Sequence, residues 1–421
     1  MTPIDVYSGY ITKEKPDPES HIIALFYFEA HDAVNAAQAI AAESSIGTWT
    51  ELRTMKKRIK EKLAAKVFDF NSKKGLAQIA YPLELFEPGN VPQLLSDIAG
   101  NVFGMKEVEN LRLLDVQFPR AYVKSFKGPA LGLEGVRKLL GTDRTRRPHF
   151  GTIVKPKVGL NPKENAEVAY ESWVGGVDFV KDDENLSNQR FCPFEERVIR
   201  TLEAKDKAES ETGERKMYAP NITAETNEML RRAEFVKEHG GNCIMIDIVT
   251  AGFAALQTVR DADFKLPIHA HRAMYAAFAR NPKHGISMRV LAKLSRIIGV
   301  DQLHTGAIVG KMEGKKSEIL EINDQLRMEW MGLKPVFPVA SGGIDPIRMP
   351  ALLDIAGTDL VINAGGGIHG HPDGTRAGAM ALRQAYEAWA QKIPIEEYAK
   401  KHRELSAALK KWGKRGMQIS E

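Results

Sequence analysis

From about residue 128 onward, short apolar runs rich in β-branched residues alternate with longer segments of helical period. The runs cover 149–155, 177–181, 216–222, 243–248, 267–271, 302–308, 336–340 and 359–363. Strands that alternate with helices in this way build βαβ units and a parallel sheet. Eight of them are the number a (β/α)₈ TIM barrel requires. Helix-start signals fall between the runs. Asn161, Pro162 and Glu164 supply a cap, a first-turn proline and a reciprocating carboxylate. Asp345-Pro346 starts a helix in the same way after strand seven, Thr223 is placed to cap the helix through Asn227-Glu228-Met229-Leu230, and 191–207 reads as the helix after strand two.

The first stretch has a different pattern. Residues 20–29 are strand-like, 31–43 form an Ala-rich helix, and 75–82 and 112–124 read as strands. This predicts an α+β domain over 1–127 and a barrel over 128–421 with a charged helical extension from about 394. The chain's 421 residues suit that division, since a (β/α)₈ barrel takes about 250.

Composition narrows the function classes. A net charge of +5 is a mild excess. The basic run Lys56-Lys57-Arg58-Ile59-Lys60-Glu61-Lys62 reads as a solvated helix face, and Arg144 to Arg147 as a solvated loop. No aromatic-basic stripe accompanies them, so nucleic acid is not an expected partner. No window approaches the roughly 20 apolar residues of a membrane span. The N-terminal residues lack the apolar core of a signal peptide, which predicts a cytoplasmic protein. Cys192 and Cys243 form no CxxC pair, so neither a disulfide frame nor a zinc site is expected.

In TIM barrels the chemistry sits at the C-terminal ends of the strands. Most of the predicted ends carry functional groups: Lys155-Pro156-Lys157, Lys181-Asp182-Asp183-Glu184-Asn185, His269-Ala270-His271-Arg272, His304 with Lys311 downstream, Ser341-Gly342-Gly343, and Gly365-Gly366-Gly367. Hard carboxylate oxygens suit Mg²⁺. Taken alone, the acidic run reads more simply as an exposed turn. Strand alternation sends Lys181 and Asp183 to one side. An ammonium would repel a cation, but a lysine amine that has added CO₂ is an anionic oxygen ligand. Glycine-rich turns after strands seven and eight are where barrels bind phosphate through backbone N–H groups. Arg272, His304 and Ser341 offer a second anion site. Lys155 and Lys311 are placed to polarise oxygens or move protons, and the glycines around Lys311 suit a mobile lid.

These segments resemble a known family. Gly151-Thr-Ile-Val-Lys-Pro-Lys-Val-Gly-Leu160 and Gly175-Gly-Val-Asp-Phe-Val-Lys-Asp-Asp-Glu-Asn185 look like the two signature segments of RuBisCO large subunits. The resemblance continues through His269-Ala-His-Arg-Ala-Met274, His304-Thr-Gly-Ala-Ile-Val-Gly-Lys311, Pro338-Val-Ala-Ser-Gly-Gly343 and Gly365-Gly-Gly367. In the first domain it takes in Ala42-Glu-Ser-Ser-Ile-Gly-Thr-Trp-Thr50, Tyr81-Pro-Leu-Glu-Leu-Phe86 and Gly100-Asn-Val-Phe-Gly104.

The resemblance implies a ribulose-1,5-bisphosphate carboxylase with an oxygenase side reaction on O₂. Lys181 would be carbamylated by an activating CO₂ and, with Asp183 and Glu184, would bind Mg²⁺. Lys155 and Lys157 would lie in the catalytic site, with Lys155 moving protons. His271 would handle hydration and Lys311 would stabilise the new carboxylate. Arg272, His304 and Ser341 would hold one phosphate. Thr48, Trp49, Lys311, Gly343, Gly365 and Gly366, beside Gly342, would hold the other. Glu43 and Asn101 would come from a neighbouring subunit, which makes the unit a homodimer or a ring of dimers with no small subunit.

Tyr275, Ile46, Ile153 and the run Gly367-Ile368-His369-Gly370 depart from the plant-type pattern and resemble the archaeal form III group, linked to nucleotide-pentose salvage. Two alternatives stand beside the carboxylase. One is a RuBisCO-like phosphosugar enolase or isomerase, which would typically lose several of these residues. The other is a non-catalytic phosphosugar sensor.

Overall fold

The computed structural model describes residues 7–48, 50–309 and 316–413. The chain divides into two units, residues 1–127 with 274–297, and residues 128–273 with 298–421.

In the first unit the strand His21–Glu29 is central. It pairs antiparallel with Leu76–Pro82 on one side and Asn110–Gln117 on the other. Its alternation sends Ile22, Ala24, Phe26 and Phe28 to the buried face. The strand Lys66–Asn71, not foreseen from sequence, adds an edge, and the two-residue strand Gly285–Ile286 pairs with Asn110–Gln117 at the other edge. Arg112 anchors that later segment by donating to the carbonyls of Ala279 and Asn281. The Ala-rich helix runs Ala33–Glu43. It starts two residues later than expected because the Asp32 carboxylate caps the amides of Val34 and Asn35. The strand expected over 112–124 stops at Gln117: Pro119 precedes a short helix, Arg120–Val123. Helix Lys57–Leu63 buries nothing, as a solvated basic face should.

The second unit is an eight-stranded parallel sheet. Its strands, numbered in chain order, are 1 (His149–Ile153), 2 (Phe179–Lys181), 3 (Met217–Ala219), 4 (Ile244–Asp247), 5 (Ile268–His271), 6 (Gln302–His304), 7 (Phe337–Ser341) and 8 (Val361–Asn363). Each expected run contains one. Strand 8 pairs with strand 1, and a parallel bridge between Asn221 and Met245 joins the outer strands 3 and 4, closing a barrel.

Alternate side chains point inward. Phe179, Met217, Ala219, Cys243, Met245, Phe337, Val339 and Val361 form one buried cluster with Leu133 and Val136 of the helix Gly132–Leu139 and with Leu140 just after it. Burying each large side chain is worth about 1.5–3 kcal/mol. Buried Asp301, just before strand 6, accepts from the amides of Leu131, Gly132 and Ile268. That fixes the helix across the N-terminal mouth of the barrel.

The capping box on Pro162–Val174 forms as the sequence predicts. Three local expectations need correction. Glu225, not Thr223, caps Thr226–Glu238, and the Thr223 hydroxyl instead accepts from the amide of Asp247. Asp345 caps a turn through the amides of Ile347 and Arg348, and the helix begins only at Met349. The helix after strand 2 runs Phe194–Thr212, starting after Pro193. The basic cluster at 144–147 is not simply solvated. Arg147 grips buried Asp178 with two bonds of 2.7 and 2.6 Å. Burial alone would raise the Asp178 carboxyl, but the Arg147 guanidinium overrides it and holds it at about 2. Arg146 pairs with Glu134 and Asp359.

Candidate active site

The second barrel strand ends at Lys181, whose side chain is 1% exposed. Its Nζ donates to the Asp182 carbonyl at 2.9 Å and lies 3.4 Å from Glu184 Oε2. Asp183 Oδ2 accepts from Lys155 Nζ at 2.6 Å, bringing strands 1 and 2 together. The pleat sends Asp182 the other way, where Arg197, the Tyr218 hydroxyl and the Asn221 amide saturate it. Asp182 is therefore structural, and Asp183 and Glu184 are left to face the mouth of the barrel.

Burial depresses the Lys181 ammonium below its usual range, partly opposed by Glu184, Asp183 and Asp247. Among the described residues no three His, Cys, Asp or Glu side chains meet as a ready-made metal site. Two hard carboxylates suit Mg²⁺, and beside them a lysine whose ammonium is disfavoured by burial could supply a third oxygen ligand once it has added CO₂.

The fourth strand ends in Asp247, a residue the sequence reading passed over. Its carboxylate holds His271 Nδ1 at 2.8 Å, and the ring's Nε2 lies 3.6 Å from Glu184. The polar residue closing an otherwise apolar run, Ile244–Asp247, was the available signal. His304 is buried between His269 (Nε2 to Nε2, 2.8 Å) and the Ser341 hydroxyl (2.8 Å). Arg272 lies by the turn after strand 6, where a Cβ on Gly306 would come within 2.9 Å of its guanidinium.

The two glycine turns meet. A side chain at Gly367 would strike the Ile344 carbonyl at 2.2 Å. At Gly365 a Cβ would lie 3.5 Å from Lys155 Cε, so the loop after strand 8 borders the lysine of strand 1. Gly342 and Gly343 both take positive φ, 105° and 79°. His369 ties this loop down. Its Nε2 lies 2.8 Å from the Ile153 carbonyl and 2.9 Å from the Thr152 hydroxyl, and its Nδ1 lies 3.0 Å from Thr375.

Lys155, Lys181, Asp183, Glu184 and His271 thus lie together at the ends of strands 1, 2 and 5, and the His304 ring, 4.7 Å from that of His271, links them to Ser341. Lys157 is exposed beyond strand 1. Glu43 ends the helix Ala33–Glu43, Thr48 follows it, and Asn101 opens a 3₁₀ turn, all in the first unit. Trp49 and Lys311 lie outside the described residues.

Two family models match the chain: "Ribulose bisphosphate carboxylase large chain, N-terminal domain" over residues 9–122, and the catalytic domain of the same chain over 132–412. The chain is 50% identical to a ribulose bisphosphate carboxylase of Methanocaldococcus jannaschii, over 96% of this chain and 99% of that one. It is 51% identical to one from Pyrococcus abyssi, over 97% of each. Among solved structures it resembles an octameric Rubisco from Pyrococcus horikoshii OT3, determined with sulfate (TM-score 0.92, 49% identity, 97% of both chains). It also resembles a dimeric archaeal Rubisco from Hyperthermus butylicus (TM-score 0.90, 45% identity, 97% of this chain and 99% of that one).

Proposed function

Because this chain belongs to the ribulose bisphosphate carboxylase large-chain family, we propose that its barrel residues carry out carboxylation in the following way. The chain is a ribulose bisphosphate carboxylase, a carbon–carbon lyase of the carboxy-lyase class. The observation that carries the residue assignment is buried Lys181 at the end of strand 2, 3.4 Å from Glu184 and next to Asp183, which is gripped by Lys155.

A neutral amine attacks CO₂ and loses a proton to become a carbamate. Carbamylated Lys181, Asp183 and Glu184 would hold Mg²⁺, which would polarise the oxygens of the sugar when bound. Removal of the C3 proton of ribulose 1,5-bisphosphate falls to carbamylated Lys181. Lys155 assists enolisation and protonates the C2 carbanion that cleavage leaves, which completes the second 3-phosphoglycerate. His271, oriented by Asp247, handles protons during hydration. Lys157 adds positive charge beyond strand 1, and Lys311 stabilises the new carboxylate. Arg272, His304 and Ser341 take one phosphate. The other is held by Gly342, Gly343, Gly365 and Gly366 with Thr48, Trp49 and Lys311. Glu43 and Asn101 serve the site of a neighbouring subunit in a homodimer or ring of dimers without a small subunit. The dimeric and octameric archaeal structures support that assembly. O₂ competes with CO₂ as a side reaction. A role in nucleotide-pentose salvage rests on the resemblance to the archaeal form III group alone. No described helix is long and apolar enough to cross a membrane.

The test is incorporation of labelled CO₂ into 3-phosphoglycerate from ribulose bisphosphate, run anaerobically with Mg²⁺ and bicarbonate, with Lys181→Ala alongside. The parent protein incorporates label and the variant does not. A folded, preincubated parent without labelled product would overturn the carboxylation scheme in favour of phosphosugar enolisation on the same residues.

A further inference from the structure

Four side chains of the barrel interior form an unbroken hydrogen-bonded file. Gln302 Oε1 meets His269 Nδ1 at 2.7 Å, His269 Nε2 meets His304 Nε2 at 2.8 Å, and His304 Nδ1 meets the Ser341 hydroxyl at 2.8 Å. Gln302, His269 and His304 are buried, while Ser341, at the end of strand 7, is partly exposed. We propose that Gln302 is a positioning residue that sets the direction of this file, and so decides whether Ser341 presents a proton or a lone pair to substrate. The proposal rests on the carboxylase reading, in which Ser341 faces a phosphate and His304, both of whose ring nitrogens lie in the file, acts on it through Ser341.

Burial pushes both imidazoles well below their ordinary range, so each is neutral and carries one N–H. Two facing Nε2 atoms share a single proton. Whichever ring holds it, the second nitrogen of each ring is then fixed, and all three bonds point one way. With Gln302 Oε1 toward His269, the direction runs from the Ser341 hydroxyl inward, and protons point away from the ligand face. A half-turn of the Gln302 amide puts its NH₂ against His269 and reverses every bond. His304 then donates to Ser341, and the Ser341 proton is released toward a ligand. The half-turn gives up little, because among the described residues the other side of the amide meets the Met217 sulfur, 3.9 Å away and a weak acceptor. The ionised oxygens of a phosphate only accept, so an anion that meets Ser341 with one of them selects the reversed file. An amide is suited to this terminus because it donates from one face and accepts from the other.

Two substitutions at one position separate this role from simple packing. In Gln302→Glu the terminus only accepts, and protons stay held away from the ligand face. Steady-state carboxylation should show KM for ribulose bisphosphate raised at least tenfold with kcat within threefold of the parent, and inhibition by inorganic phosphate weakened to match. In Gln302→Met nothing meets His269 Nδ1. A buried unpaired N–H is rarer and worse tolerated than an unpaired acceptor, so the protons settle toward the ligand face. Inorganic phosphate should then inhibit at least as strongly as in the parent. Equal losses in both variants, or a parental KM in a folded Gln302→Glu, would overturn the proposal. Should Gln302→Glu not fold, the methionine variant decides alone: phosphate binding weakened more than threefold overturns the file. Calorimetric titration of inorganic phosphate keeps the two readings apart. A parent that binds phosphate yet fixes no CO₂ speaks against the carboxylase assignment and not against the file.

Discussion

On the proposed chemistry, Asp247 acts through a ring it touches. Its carboxylate fixes the tautomer and aim of His271 from 2.8 Å, and the Thr223 hydroxyl fixes Asp247 in turn. Asp247→Asn keeps the shape and loses the charge that favours Nδ1–H. We expect kcat to fall by about tenfold to a hundredfold, part of the roughly 10²–10⁴ that a positioned acid or base supplies, with KM for the bisphosphate little moved. A parental kcat in that variant would detach Asp247 from the chemistry. The residues legible in the sequence were those in dense polar clusters at strand ends, such as Lys181 through Asn185. Asp247 and Gln302 were not, because one polar residue in an apolar strand looks the same whether it serves a site or satisfies a backbone. Only the partner across the barrel tells the two apart.

At the scale of elements, two ties hold strand 1. His369 binds the Ile153 carbonyl and the Thr375 hydroxyl, and so couples the turn at Gly365 to the strand that carries Lys155. His369→Ala removes two or three hydrogen bonds worth about 1 kcal/mol each. It should lower the melting temperature modestly and raise KM for the bisphosphate more than it lowers kcat; a change in melting temperature alone would make His369 a packing residue. The second tie is Arg147 on Asp178, whose carboxylate also accepts from the Phe150 amide. Arg147→Met strands a buried charge and should cost about 3–5 kcal/mol in denaturant unfolding. A loss below 1 kcal/mol would mean that Asp178 simply takes up a proton. Strand positions were readable because eight apolar runs repeat with helical text between them. Helix starts were less so. Thr223 and Glu225 compete for one cap, and the sequence does not say that Asp247 claims the threonine.

For the whole molecule, acid sensitivity follows from what the folded barrel refuses to protonate. His149 is buried against Thr142, and burial first, then the Arg137 and Arg147 guanidiniums, push it from 6.5 to about 3. The unfolded chain takes a proton there once pH drops below about 6.5, and the folded chain does not until about 3. Stability is therefore whole above that upper limit and declines as pH falls through the window, by on the order of 4 kcal/mol from this group. His149→Gln, which keeps a partner for Thr142, should flatten the melting-temperature profile between pH 6.5 and 4. A profile parallel to the parent's would place the sensitivity elsewhere. The (β/α)₈ class and the smaller α+β unit were legible from periodicity alone. The grouping of residues 274–297 with the first unit was not, because the contacts that decide it, Arg112 on Ala279 and Asn281, join positions far apart in sequence.

The helix Gly132–Leu139, pinned by Asp301 across the N-terminal mouth, backs a barrel interior that is packed with side chains and offers no passage. On the carboxylase reading, sugar, gas and both product molecules therefore come and go at the C-terminal rim. The stoppered end carries no such traffic, and a linker or fusion partner attached there would stand outside the path of everything the enzyme handles.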